Sequence, residues 1–90
     1  MLHPLQHMMD RLGGMSSDEI RDWCVREGIK GNKRHCCACP LAKLLGRITG
    51  ELVQVDNHDV TCPTVRVALP ASARQFVRNF DRGQYPELEN

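Results

Sequence analysis

The fold class is decided by the stretch TVRVALPASARQFVRNFDRG, residues 64–83, because two different periodicities meet within it. The first six residues alternate between apolar and polar side chains, which is typical of a half-buried β-strand with Arg66 on its outer face. After Pro70, apolar residues recur three and four positions apart, which predicts an amphipathic helix. The apolar faces are Val65, Val67 and Leu69 on the strand, and Ala73, Phe76, Val77 and Phe80 on the helix. A strand that leads directly into a helix indicates an α+β fold.

A second alternating segment, ELVQVD at residues 51–56, precedes this stretch. We expect it to pair with residues 64–69 as a two-stranded antiparallel hairpin. The residues between them include the polar run DNHD and Pro63, which cannot donate to a strand ladder, so they are predicted to form the connecting loop. The final helix is expected to open at Pro70 and to end at Gly83, and Ser72 with Gln75 would form a capping box if the helix began at Ser72 instead.

Two helices are predicted near the N-terminus. Pro4 suits the first turn of the first helix, because its fixed backbone angle fits that position. Ser16 and Glu19 form an S-x-x-E capping box at the start of the second helix, and Gly28 suits its C-terminal end. The predicted buried faces are Leu5, Met8, Met9 and Leu12 in the first helix, and Ile20, Trp23 and Cys24 in the second.

A third helix is predicted between Cys39, at the N-cap, and Gly50, with Pro40 as its first residue. The order of elements is then ααα–ββ–α, about four helices and one hairpin, and it resembles a winged-helix module. We expect one small globular domain over residues 1–90, with residues 84–90 as a docking or frayed tail. The apolar residues that recur at helical spacing in the third helix are Leu41, Leu44, Leu45 and Ile48.

Composition and charge narrow the class of protein. The chain has 90 residues, of which 41% are hydrophobic and 26% are charged, as in ordinary globular proteins. No apolar run approaches the roughly 18 residues that a membrane-spanning helix needs. The first twelve residues, MLHPLQHMMDRL, lack the basic and long apolar regions of a secretory signal. We therefore expect a cytoplasmic protein with no membrane partner and with mostly reduced thiols.

Three of the five cysteines fall in RHCCACP, residues 34–40, and support more than one interpretation. The C-x-x-C spacing and a later H-x₃-C pair would supply four zinc ligands. The reactive thiol alternative has Cys39 at a helix N-terminus as the nucleophile, with Cys36 or Cys37 to resolve its oxidised form. The third alternative is that Cys24 and Cys62 are core residues and the loop cysteines are incidental. The candidate zinc ligands are Cys36, Cys39, His58 and Cys62.

Basic residues concentrate between Arg26 and Arg47, a segment that contains six of them and only one acidic residue, Glu27. This charge predicts a surface for an anionic partner. In the winged-helix interpretation, Lys43 and Arg47 lie on the outer face of the recognition helix, but an acidic hairpin tip at residues 56–59 would repel phosphate. The candidate nucleic-acid-binding residues are Lys30, Lys33, Arg34, Lys43 and Arg47.

No catalytic pattern is present: the chain has no G-x-S-x-G motif, no glycine-rich phosphate loop and no carboxylate pair with acid–base spacing. We therefore expect no enzymatic activity, and no cofactor apart from the zinc alternative. The leading hypothesis is a small interaction or regulatory protein with a protein partner. Nucleic-acid binding, a zinc- or thiol-dependent regulatory role and homo-oligomerisation remain open.

The last 50 residues carry a pattern of their own: C-P-L-A at residues 39–42, L-P at residues 69–70 and F-V-x-x-F-D-x-G-x-Y-P-x-L at residues 76–88. It resembles small actinobacterial and actinophage proteins of unassigned function. The resemblance implies a shared fold unit and no particular chemistry. Of the cysteines it includes only Cys39, which fits a helix-capping role for that residue.

Overall fold

The protein is described here by a computed structural model, which covers residues 4–33 and 38–89. Within these residues the chain forms four α-helices, a three-stranded antiparallel sheet and a final 3₁₀ turn, so the predicted α+β class is confirmed. The elements are α1 (Pro4–Gly13), α2 (Ser17–Arg26), α3 (Pro40–Thr49), β1 (Gln54–Val55), β2 (Asp59–Cys62), β3 (Val65–Ala68), α4 (Ala71–Asp81) and the 3₁₀ turn (Pro86–Leu88).

Local capping explains where α2 and α3 begin. The Ser16 hydroxyl accepts from the Glu19 N–H at 3.1 Å, and the Glu19 carboxylate accepts from the Ser16 N–H at 3.0 Å, so the predicted capping box is confirmed. Cys39 is the N-cap of α3, and its Sγ accepts from the Ala42 N–H at 3.4 Å. Gly50 ends α3 with a positive φ of 73°, a conformation that favours glycine.

The sheet differs from the prediction, because the segment expected to be a loop forms its central strand. β2 pairs with β1 on one side and with β3 on the other, so the two predicted strands do not pair with each other. Asp56 makes this possible: its Oδ1 accepts from the backbone N–H groups of His58 and Asp59 at 2.8 and 2.7 Å and closes a tight turn. Pro63 lies in the two-residue connection after β2, where no ladder donor is required.

The hydrophobic core lies between the four helices and one face of the sheet. The predicted apolar face of α4 is confirmed, since Phe76 and Phe80 are each 1% exposed. The tail docks on this core: Tyr85 and Leu88 are buried, and the Tyr85 ring stacks on Phe76 with centroids 5.3 Å apart. The other buried residues of the α4 face are Ala73 and Val77.

Two local features of the helices differ from what the sequence pattern suggests. Ser72 forms no capping box with Gln75, because α4 begins at Ala71 and the Ser72 hydroxyl instead donates to the Leu12 carbonyl at 2.7 Å. Ile48 lies on the same helix face as Leu41, Leu44 and Leu45, but it is 41% exposed in the last turn of α3, which ends at Thr49.

Candidate functional site

The three described cysteines, Cys24, Cys39 and Cys62, lie in different elements, and all three are buried. Cys39 is 4% exposed at the start of α3, where its sulfur caps the helix. Reactive thiols usually occupy partly exposed sites, so this burial favours the capping role over nucleophilic chemistry. Cys36 and Cys37, the predicted resolving residues, lie outside the described residues.

The predicted zinc ligands are not brought together within the described residues. His58 is exposed in the turn before β2, and Cys62 ends that strand. Four residue steps at about 3.3 Å each place their Cα atoms about 13 Å apart. A zinc ion lies about 2.0–2.3 Å from its nitrogen and sulfur ligands, so this separation does not suit a shared site. Across residues 4–33 and 38–89, no three His, Cys, Asp or Glu side chains form a group that could hold a metal ion. The fourth predicted ligand, Cys36, lies outside these ranges.

Cys24 has a clear electrostatic signature. Burial, together with the nearby Cys39 thiol, raises the pKa of Cys24 to about 12 from an ordinary value of 9.0. Cys24 is therefore a neutral core residue at physiological pH, as the third interpretation of the cysteines predicts.

This pKa shift predicts a loss of stability in alkali. The unfolded chain releases the Cys24 proton near the ordinary value of 9.0, while the folded chain retains it until about 12, so stability falls as pH rises through this window. We expect the free energy of unfolding in urea to fall more between about pH 8 and about pH 11 in the wild type than in Cys24→Ala. Contributions from groups that both proteins share cancel in the comparison. Parallel pH profiles would contradict the shift.

Two of the predicted nucleic-acid-binding cations already have partners. Lys33 Nζ lies 3.2 Å from the Glu89 carboxylate. Arg47 donates to the Glu27 carbonyl at 2.8 Å and lies 4.0 Å from its carboxylate. These contacts reduce the positive charge that this face offers to phosphate groups.

The remaining predicted cations are Lys30, Lys43 and Arg34. Lys30 and Lys43 are exposed and form no ion pair with another described residue, while Arg34 lies outside the described residues. Asp56, in the hairpin turn that would be the wing, has its pKa held below the ordinary range, chiefly by the Asp59 and His58 N–H donors. The turn therefore carries a firmly ionised carboxylate, which opposes an approach to DNA.

The outer edge of β3 is an open sheet edge. Leu69 N–H donates to the His58 carbonyl at 2.9 Å, which makes these residues a hydrogen-bonded pair. Because such pairs alternate along an antiparallel ladder, Val67 also directs its backbone groups toward β2. Arg66 and Ala68 then direct their N–H and C=O groups outward, and both residues are exposed.

The opposite edge of the sheet is protected. β1 packs against α3. Val53, which precedes β1, and Val55, which is its last residue, are 2% and 3% exposed. A groove of about 470 Å³ runs beside β3 instead, with Met9 and Asp10 of α1 on one wall and residues 67–70 on the other. The open edge and this groove together form a surface that we call the β3 edge groove.

A second cleft, of about 280 Å³, lies between the β1–β2 turn and α4. It is lined by Asn57, His58, Arg74 and Arg78. Of these, only His58 was among the predicted site residues, as a zinc ligand. The only signal in the sequence was the i, i+4 spacing of the two arginines, which places them on one helix face. We call this site the arginine cleft.

Comparison with known proteins gives no family and no function for this chain. The chain matches no protein-family model, no curated protein and no solved structure. The resemblance to small actinobacterial and actinophage proteins therefore stays a prediction. Separately, none of the helices within residues 4–33 and 38–89 combines the length and apolar character required to cross a bilayer.

Proposed function

We propose that the protein is a small non-enzymatic interaction module that binds an extended segment of a partner protein along the β3 edge groove. The outward N–H and C=O groups of Arg66 and Ala68 carry this proposal, because an added strand would pair with both residues. Exposed edge groups of this kind are templates for pairing with another chain.

The groove beside the edge supports a protein ligand over a nucleic acid. Its walls include Met9, Leu69 and Pro70, which suit an apolar side chain of an extended peptide. Alternate side chains of an added strand would point into the groove, and the others would point to solvent. Asp10 on the groove wall disfavours phosphate.

The cellular setting is part of the proposal. Three cysteine thiols are buried within the described residues, which supports a reducing compartment, the cytoplasm. Binding here would need neither a metal nor a cofactor.

The proposal predicts that Ala68→Pro abolishes strand addition while the fold is retained. Proline removes the outward N–H, and it is tolerated on edge strands because Ala68 makes no ladder hydrogen bond to β2. Short linear peptides selected from a phage-displayed library on the full wild-type chain should bind Ala68→Pro at least about tenfold more weakly. Ala68→Ser keeps the N–H and should bind as the wild type does.

Several outcomes would contradict the proposal. Selected peptides that bind Ala68→Pro and the wild type equally would place the interaction elsewhere, provided that both chains melt at similar temperatures. Salt-sensitive binding of duplex DNA that depends on Lys30 and Lys43 would favour the nucleic-acid alternative. A concentration-dependent dimer that Ala68→Pro dissolves would mean that the edge pairs with a second copy of this chain.

A further inference from the structure

The arginine cleft contains positive charge that the described residues do not neutralise. Arg74 and Arg78 lie one turn apart on α4 and form no ion pair with another described residue. The Nε of Arg74 is buried and has no hydrogen-bond partner among them. Leaving a buried charged donor unpaired is costly, so the arrangement fits a site in which an external acceptor completes the hydrogen bonding.

The acidic residues of the adjacent turn are occupied elsewhere. Asp56 Oδ1 accepts from two backbone N–H groups within its own turn. Asp59 lies 3.4 Å from Arg66, on the neighbouring strand. Asp59 is therefore paired with a cation outside the cleft, whereas Asp56 keeps its negative charge and is bound by the backbone of its own turn. Neither carboxylate lines the arginine cleft.

We propose that the arginine cleft binds the phosphate group of a phosphomonoester. Two guanidinium groups supply a charge of +2, which matches the charge of about −1.5 to −2 on a phosphomonoester near neutral pH. Asn57 and His58 provide further donors on the opposite wall. A carboxylate offers two oxygens and one negative charge, and a nucleic-acid phosphodiester also carries one negative charge, so both fit the cleft less well.

The test uses the full chain and named probes. The arginine Nε–Hε resonances are followed by NMR during titration with inorganic phosphate, phosphoserine and acetate. We expect saturable shifts of the Arg74 and Arg78 signals with both phosphate probes, and at least about tenfold weaker binding of acetate. Inorganic phosphate and phosphoserine together distinguish a free ion from a phosphate attached to a side chain, since a site for a modified side chain should bind phosphoserine more tightly.

Variants connect the binding to the cleft. Arg74→Gln and Arg78→Gln should each weaken phosphoserine binding at least about tenfold, whereas Arg82→Gln, an exposed arginine beyond the end of α4, should not. Arg78→Gln is the more informative variant if Arg74→Gln lowers the melting temperature, because Arg78 is exposed. Shifts that are linear up to high phosphate concentration, equal losses in Arg82→Gln, or tighter Arg74-dependent binding of a DNA oligonucleotide would overturn the proposal.

The inference is independent of the β3 edge groove. Ala68 does not line the arginine cleft, so Ala68→Pro should leave phosphoserine binding unchanged. Loss of phosphoserine binding in Ala68→Pro, with the fold intact, would contradict a separate site.

Discussion

Replacing Phe80 with alanine should lower the free energy of unfolding by about 3–5 kcal/mol and leave the protein marginally folded. Phe80 is 1% exposed and lies on the same face of α4 as Phe76. The chain has only four aromatic residues, so these two rings form a large part of its core. A domain of this size has on the order of 5–10 kcal/mol in total, so the loss removes much of it.

Arg78→Ala is the matched control, because Arg78 lies on the same helix and is exposed. Its effect should stay within about 0.5 kcal/mol, as is usual for surface substitutions. Urea unfolding followed by far-ultraviolet circular dichroism measures both variants. A Phe80→Ala protein with the wild-type midpoint would mean that the ring is not packed in solution as described.

The helices were predictable because their signals are local. The α2 capping box needs only Ser16 and Glu19, and the α4 stripe needs only one apolar face with Phe76 and Phe80. The face of α3 was harder to predict. Ile48 continues the apolar spacing, but it is exposed. The spacing alone does not show that the last turn of α3 lies at the edge of the core.

The central strand was missed for a physical reason. Its four residues, DVTC, follow a polar run and precede a proline, which favours a loop locally. Val60 and Cys62 become buried only when β1 and β3 flank them, so the strand depends on pairing with two segments outside its own four residues. The alternation of Val60 and Cys62 with polar neighbours was the available signal.

Neither proposed site could be read from sequence alone. The arginine cleft joins the helical pair Arg74 and Arg78 to a hairpin turn sixteen residues before Arg74. The β3 edge groove depends on which edge of the sheet is left uncovered, and that is a property of topology. Conversely, the cysteine spacing suggested a metal site, but the described residues form no such group. The short spacing within each ligand pair does not determine whether the two pairs come together in the fold.

Gly31→Ala should be strongly destabilising for a different reason, the close approach of two backbone segments. Gly31 is buried, and a Cβ added there would overlap the Ala38 carbonyl oxygen and lie 2.6 Å from the nitrogen of Pro40. These are backbone atoms at the start of α3, so no side chain can rotate away to make room. Gly31 N–H also donates to the Leu88 carbonyl at 2.8 Å, and this bond holds the tail.

We therefore expect Gly31→Ala to cost about 3 kcal/mol or more, at the upper end of the range for overpacking. Gly28→Ala is the matched control: its added Cβ meets nothing within 4 Å, but Gly28 has a φ of +68°, so the cost should be about 1–2 kcal/mol. Urea unfolding compares the two variants, and amide hydrogen exchange at position 31 reports whether the bond to Leu88 survives. If Gly31→Ala is no less stable than Gly28→Ala, the segments do not approach this closely in solution. If Gly31→Ala loses both stability and protection at position 31, the contact between the residue 31 segment, the start of α3 and the tail holds these three parts of the chain together.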